Sequence, residues 1–295
     1  MSGAVAEGLL LVDKPAGITS HDVVAWVRRA TGTRKVGHAG TLDPLATGLL
    51  LVGVGRATRL LRYLSGLDKT YEGTGRLGAE TDTLDSEGEV VKQVDRPELA
   101  REDLEAAMRA LLGESSQTPP AYSAVKVGGV TLHRAARRGQ SVDPAPPRSI
   151  RVDTFELLRF EGTDFDFRVA CSSGTYVRVL VASVGRTLDV GAHLTRLVRT
   201  GVGPFALADA SSLEDLGEPL PIGAAVAHLP MVRLDAEEAR AAAAGRPLGP
   251  AGVEGPYGVY TPDGSLVGVY RDAGARAFPE MVLAPAPGTR GARAE

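Results

Sequence analysis

Hydrophobic positions fall into short runs and helical stripes rather than long blocks. Residues 8–13 form a short apolar run that ends at Lys14-Pro15 and predicts a strand. Val23, Val24, Trp26, Val27 and Ala30 follow at helical spacing, with Ser20 as the expected N-cap and Gly32 as the stop. Leu49, Leu50, Leu51 and Val52 lie between Gly48 and Gly53. That run is too short for a helix and predicts a buried strand. The first half of residues 35–53 holds Gly37, Gly40 and Pro44 and is too rich in breakers for a regular element.

Leu60, Leu61 and Leu64 predict a helix, and residues 69–77 a strand. Residues 99–112 read as an amphipathic helix with Pro97 near its start. Residues 151–160 and 164–171 predict an antiparallel strand pair. Val177, Leu180, Val181 and Val184 mark another helix, and 191–205 a further strand. Beyond Pro230 come an Ala-rich helix over 237–244, a strand, an Asp263-Gly264 turn and a strand ending at Tyr270. The expected organisation is an α+β unit over 1–230, a small module over 231–284, and a Pro/Gly-rich tail over 285–295 that composition marks as disordered.

Composition narrows the class. Hydrophobic residues make up 43% and charged residues 23%, enough for a packed core. Aromatics are only 5%, so Leu, Val and Ala must build that core. No apolar run reaches the roughly 18 residues of a membrane span. The N-terminus lacks a basic region before its short apolar run, so no signal peptide is expected. The single cysteine, Cys171, excludes a disulfide framework or a cysteine zinc site within one chain. It alternates with Phe165, Phe167 and Val169, which predicts core packing. A cytoplasmic protein is expected. The net charge is −3, but residues 1–70 carry +4, 71–120 carry −7 and 121–160 carry +4. Two basic stretches brought together by the fold would give an anion-binding footprint; scattered solvated charge is the alternative.

Several segments carry candidate chemistry. Asp43 lies in a loop that feeds the predicted core strand, a rigid mount for a reactive carboxylate. An Asp-Pro turn is the plain alternative. Gly53-Val54-Gly55 after that strand lacks the third glycine of a dinucleotide fingerprint, since Thr58 takes its place. Residues 80–89 are acidic without calcium-loop spacing, so Asp82 and Asp85 are expected in a solvated turn. Residues 117–140 run from a Pro-flanked loop into a basic helical segment. Tyr122, Lys126, His133, Arg134, Arg137 and Arg138 there would suit a nucleic-acid backbone. Arg178, in a first helical turn, is poorly placed for the helix dipole, which favours a specific anionic partner. His193 has no partner at metal-ligand spacing and reads as hydrogen-bonded structure.

The string GHAGTLDPLATG around Asp43 closely resembles the catalytic loop of the TruB family of tRNA pseudouridine synthases. DKPAGITSHDVV, KTYEGTGRLG, TDTLDSEG, QTPPAYSAVKVGG, CSSGTYVRVL and GAHLTRLVRT resemble further motifs of that family, in family order across residues 8–205. The resemblance implies a mixed, mostly antiparallel central sheet flanked by helices, an RNA-binding insertion-like segment near 117–148, and a PUA-like RNA-binding module at 231–284. It implies isomerisation of uridine to pseudouridine at nucleotide 55 in the T-loop of tRNA. No cofactor, metal, DNA, membrane or obligatory protein partner is implied, and a monomer is expected.

By the same resemblance Asp43, Tyr71 and Arg178 are the catalytic residues, and His38, Lys14 and Leu197 serve the RNA. Asp43 would attack or take a proton as a carboxylate, with Arg178 offsetting the effect of burial. Tyr71 would stack on the uracil and offer its hydroxyl for proton removal from C5. His38 would fill the space left by the everted base, and Leu197 would pack under the uracil. Lys14 would brace the cleft or neutralise a phosphate. A tRNA-binding chaperone without catalysis, and a related RNA-guided enzyme acting on ribosomal RNA, are the alternatives.

Overall fold

One continuous apolar run and one alternating strand decide the architecture. The computed structural model describes residues 7–94, 99–132, 136, 138 and 143–283. The first unit contains strands β1 (Gly8–Lys14), β2 (Val36–Ala39), β3 (Thr47–Val54), β4 (Lys69–Leu77), β5 (Ala79–Thr81), β6 (Val90–Gln93) and β7 (Gly113–Gln117). It continues with β8 (Lys126–Val127), β9 (Val130–Thr131), β10 (Arg148–Glu161), β11 (Asp164–Cys171), β12 (Ala192–Val202) and β13 (Phe205–Ala206). Its α-helices are α1 (Ser20–Thr31), α2 (Leu61–Ser65), α3 (Arg101–Arg109) and α4 (Val177–Thr187). Nine strands join in one sheet, in the order β1-β3-β12-β4-β11-β10-β7, with β2 added to β3 and β13 to β12. Every ladder in it is antiparallel except β3 against β12.

β3 is apolar throughout because both of its faces are covered. Leu49 and Leu51 pack with Leu60, Leu64 and Val202, whereas Leu50 and Val52 face Val23, Val24 and Val27 of α1. Burying each such leucine contributes roughly 1.5–3 kcal/mol. β4 instead alternates: Tyr71, Gly73, Gly75 and Leu77 are buried, with half-buried or exposed residues between them. The main core sets Phe165, Phe167 and Val169 of β11 against Leu104 and Met108 of α3 and Leu180, Val181 and Val184 of α4.

Two local expectations fail for identifiable reasons. The N-cap of α1 is Thr19, not Ser20: Thr19 is extended, and its side chain closes a capping box with Asp22. Ser20 is instead the first helical residue, buried, with its hydroxyl committed to the backbone of Leu42. Val36–Ala39 forms a strand despite its glycine, because β3 offers a free edge that pairs it from Val36↔Val54 to Ala39↔Leu51. His193, as expected, is tied to structure, its Nδ1 lying 2.8 Å from the Ala79 carbonyl. The basic helical segment through His133, Arg134 and Arg137 and the tail from residue 285 lie outside the described residues.

The C-terminal unit holds β14 (Met231–Arg233), α5 (Ala236–Ala243), β15 (Pro256–Tyr260), β16 (Leu266–Ala273) and β17 (Arg276–Val282), its strands forming a separate sheet in chain order. Leu234, Ala239, Tyr257, Val259 and Tyr270 build its own small core. Its opposite side is not free: Val269, Met281 and Leu283 share a cluster with Leu60, Leu64, Ala225 and Val226. Polar ties reinforce the contact, with Arg59 donating to the Val282 carbonyl at 2.6 Å and Arg62 paired to Glu280 at 2.9 Å.

The parallel junction of β3 and β12 demands a glycine. Gly48 sits at φ +95°, and a Cβ there would lie 2.5 Å from the carbonyl oxygen of Arg199. Gly48→Ala is therefore expected to destabilise the fold by about 2 kcal/mol or more, through overpacking and backbone strain. The measurement is a lowered urea midpoint at constant slope; an unchanged midpoint would contradict the close approach.

Candidate active site

The loop between β2 and β3 carries Asp43 and is held from several sides. The Leu42 amide donates to the Ser20 hydroxyl at 2.8 Å, and that hydroxyl donates to the Leu42 carbonyl at 3.1 Å. The Pro44 carbonyl accepts from the Gly17 amide at 2.9 Å. Lys14 is fully buried, and its ammonium donates to the carbonyls of Pro15 at 2.9 Å, Ile18 at 2.8 Å and Pro44 at 3.4 Å. All three protons are thus used within the protein, so Lys14 braces the loop and is not a surface lysine. Burial pulls its pKa down to about 8, partly opposed by the charge of Asp43.

Asp43 reaches a cavity of about 500 Å³, also lined by Tyr71, Arg178, Leu194, Leu197 and Arg199. Such a volume suits a nucleoside-sized group. One Asp43 oxygen lies 3.4 Å from the Arg178 guanidinium; the Asp43 side chain is 46% exposed and that of Arg178 only 4%. Arg178 stands in the first turn of α4 and donates to the carbonyls of Thr83 at 3.1 Å and Tyr122 at 2.5 Å. Its other terminal nitrogen lies 3.5 Å from Asp85. The expected pairing of Asp43 with Arg178 is present, but Asp85 shares the cation. Burial outweighs the guanidinium, and the Asp43 carboxyl is raised above its ordinary pKa, with the like charge of Asp85 adding to the rise.

Asp85 corrects the expectation of a solvated turn. Its side chain is 5% exposed, and it accepts from the Thr83 hydroxyl at 2.6 Å and the Glu87 amide at 3.1 Å. Asp82 does stay exposed, accepting from the Glu89 amide at 2.9 Å and the Tyr122 hydroxyl at 3.1 Å. Nothing in the local spacing separates the two carboxylates; the distinction comes from the isolated bridge Asp85↔Leu194, which draws only Asp85 against β12.

Tyr71 and Leu197 both line the cavity and are nearly buried. Burial raises the phenol pKa of Tyr71, and Arg199 works against that rise. His38 is on β2 and is not among the cavity-lining residues. Its ring meets that of His21 edge-on at 5.6 Å, and burial, with the charge of His21, pulls its pKa down to about 4. His38 is therefore neutral at physiological pH. Cys171 is buried, with its thiol pushed up to about 11 by that burial, as suits a core residue. Tyr176, Lys69 and Arg199 also line the cavity and did not stand out in the sequence. Among the described residues no three His, Cys, Asp or Glu side chains cluster as a metal site, and no helix is long and apolar enough to cross a membrane.

Residues 28–177 match the model of the TruB family pseudouridylate synthase N-terminal domain, and residues 229–284 match that of the tRNA pseudouridine synthase II C-terminal region. The tRNA pseudouridine synthase B of Mycobacterium sp. (strain KMS) is 48% identical, over 97% of this chain and 99% of its own length. That of Thermobifida fusca (strain YX) is 45% identical, over 95% and 99%. Among solved structures, a chain of a Cbf5-Nop10-Gar1 complex matches with a TM-score of 0.75 at 27% identity, covering 95% of this chain and 86% of that one. A chain of an H/ACA RNP bound to a substrate RNA containing 2'-deoxyuridine matches with a TM-score of 0.74 at 26% identity, with the same coverage. These matches span both structural units, and the chain belongs to the TruB family of pseudouridylate synthases.

Proposed function

We propose that this chain converts uridine to pseudouridine at nucleotide 55 in the T-loop of tRNA, acting alone in the cytoplasm. The observation that carries the reading is Asp43: a half-exposed carboxylate facing a nucleoside-sized cavity while paired to a buried guanidinium. The reaction breaks the N1–C1′ bond, turns the uracil and rejoins it through C5. It changes no oxidation state.

The target base must leave the RNA stack to reach such a cavity, at a cost of a few kcal/mol. Tyr71 offers its ring to the everted uracil, worth roughly 1–3 kcal/mol in stacking. Leu197 supplies an apolar contact from the neighbouring strand. Neutral His38, outside the cavity, suits the space vacated in the RNA, where an uncharged ring can stack among bases. Lys14 acts through the backbone by holding Pro44, and so Asp43, in place. The ionised Asp43 then attacks or takes a proton, and the Arg178 guanidinium stabilises its negative charge. The C-terminal unit would extend the RNA contact beyond the cavity.

RNA-guided isomerisation is the second reading, because two solved relatives come from a Cbf5-Nop10-Gar1 complex and an H/ACA RNP. The tRNA pseudouridine synthase B proteins are much more similar, at 45–48% identity over nearly the whole chain, and favour tRNA.

Incubation with an unmodified tRNA transcript, followed by carbodiimide-blocked primer extension, should give a stop at nucleotide 55. Asp43→Asn should abolish that stop while tRNA affinity stays within about threefold, because phosphate contacts supply most of the binding. A product still formed by this variant would rule out the role of Asp43 and favour another carboxylate. A non-catalytic chaperone would give no stop with either protein.

The raised pKa of Asp43 sets a pH limit. Catalysis needs the ionised form, so kcat/KM should fall with decreasing pH at an apparent pKa above the ordinary 3.8. Asp85→Asn removes a like charge and frees Arg178 for Asp43, so the acid limb should move to lower pH. A limb that stays in place would mean another group governs it.

Raising salt should weaken tRNA binding steeply through counterion uptake. A flat response would show that the two basic stretches do not meet the RNA.

A further inference from the structure

We infer that Arg199 is a positioning residue for Tyr71, fixing the phenol against the cavity wall and stabilising negative charge on its oxygen while the C5 proton is removed. The inference rests on the proposed isomerisation. Tyr71 and Arg199 are direct cross-strand partners in the β4–β12 ladder. Their side chains therefore share a face, with Cβ atoms about 4.5–5.5 Å apart. Both line the cavity that Asp43 enters.

Arg199 is only 1% exposed, one of the largest fully buried side chains. Its Nε donates to the Leu49 carbonyl at 2.7 Å and a terminal nitrogen to the Gly40 carbonyl at 3.1 Å. These partners are neutral, and among the described residues no carboxylate is bonded to it. A buried cation whose hydrogen-bond partners are all neutral is costly, and the cost falls when an anion forms beside it. Lys69 adds a second cation at the same wall, but its ammonium already donates to the carbonyls of Ser65 and Leu67 at 2.7 and 2.5 Å. Arg199 is thus the cation aligned with the phenol. The opposing pulls on the Tyr71 phenol, upward from burial and downward from Arg199, agree with this placement.

The chemistry gives that alignment a use. Once the uracil has rejoined through C5, this carbon bears both hydrogen and sugar, and C6=N1 is a double bond. A Tyr71 phenolate takes the C5 proton. The C5–H electron pair becomes C5=C6, the C6=N1 pair moves onto N1, and N1 takes a proton. That proton balances the one the phenol released on ionising.

The plain alternative is that Arg199 only ties β12 to the backbone at Gly40 and Leu49. A double-mutant cycle separates the two. Arg199→Met should slow single-turnover pseudouridine formation about 10²-fold when Tyr71 is present. In a Tyr71→Phe background the further loss should be under about threefold. An equal loss in both backgrounds would overturn the inference. Arg199→Gln keeps N–H donors for the Gly40 carbonyl while removing the charge, and should behave alike if Arg199→Met fails to fold. A readout independent of activity is the ionisation of Tyr71. With difluorotyrosine incorporated and the signal assigned by Tyr71→Phe, fluorine NMR should show Tyr71 titrating at higher pH in Arg199→Gln than in the unsubstituted protein. An unmoved titration would sink the inference whether or not uridine is isomerised. A moved titration in a protein inactive on tRNA would instead sink the functional reading alone.

Discussion

The buried guanidinium of Arg178 is the point to which the separate parts of the site are tied. It meets Asp43 from the loop before β3, Asp85 and the Thr83 carbonyl from the acidic turn, and the Tyr122 carbonyl from the segment after β7. Four contacts from three distant stretches converge on one side chain in the first turn of α4. Removing one partner of a buried ion pair commonly costs 3–5 kcal/mol, because the other charge is left unpaired. The acidic turn and the Tyr122 segment therefore depend on Arg178 as much as Asp43 does.

The neighbourhood has a chemical effect as well. Burial raises the Asp43 carboxyl, Arg178 pulls it down by less, and the like charge of Asp85 adds to the rise. The result is a carboxylate less comfortable in its charged form than a surface aspartate. Such a group has more to gain from forming a bond or taking a proton. Position is supplied separately, by Lys14 and Ser20 acting on the backbone on either side of Asp43.

Much of this was legible in the sequence, and the gaps have physical causes. The apolar run at Leu49–Val52, the alternation through Tyr71 and the stripe around Leu180 report local burial, which the chain encodes locally. The loop motif around Asp43 likewise carried its own identity. The Asp85 role was not legible, because Asp82 and Asp85 share one polar turn and only a tertiary bridge to Leu194 distinguishes them. Arg199 was equally silent: an arginine within a strand reads as an exposed position until the register places it opposite Tyr71. Ser20 looked like a cap because its type fits one, but Thr19 with Asp22 three residues on makes the better box. Val36–Ala39 needed a neighbouring strand edge, which no local pattern displays.

The apolar seam between the C-terminal sheet and α2 has a geometric consequence. Swinging that sheet away would wet Val269, Met281, Leu283, Leu60 and Leu64 together. The shared cluster and the Arg59 and Arg62 ties thus hold the small sheet against the first unit. A ligand long enough to touch both units at once would therefore be measured by its span as well as by its chemistry.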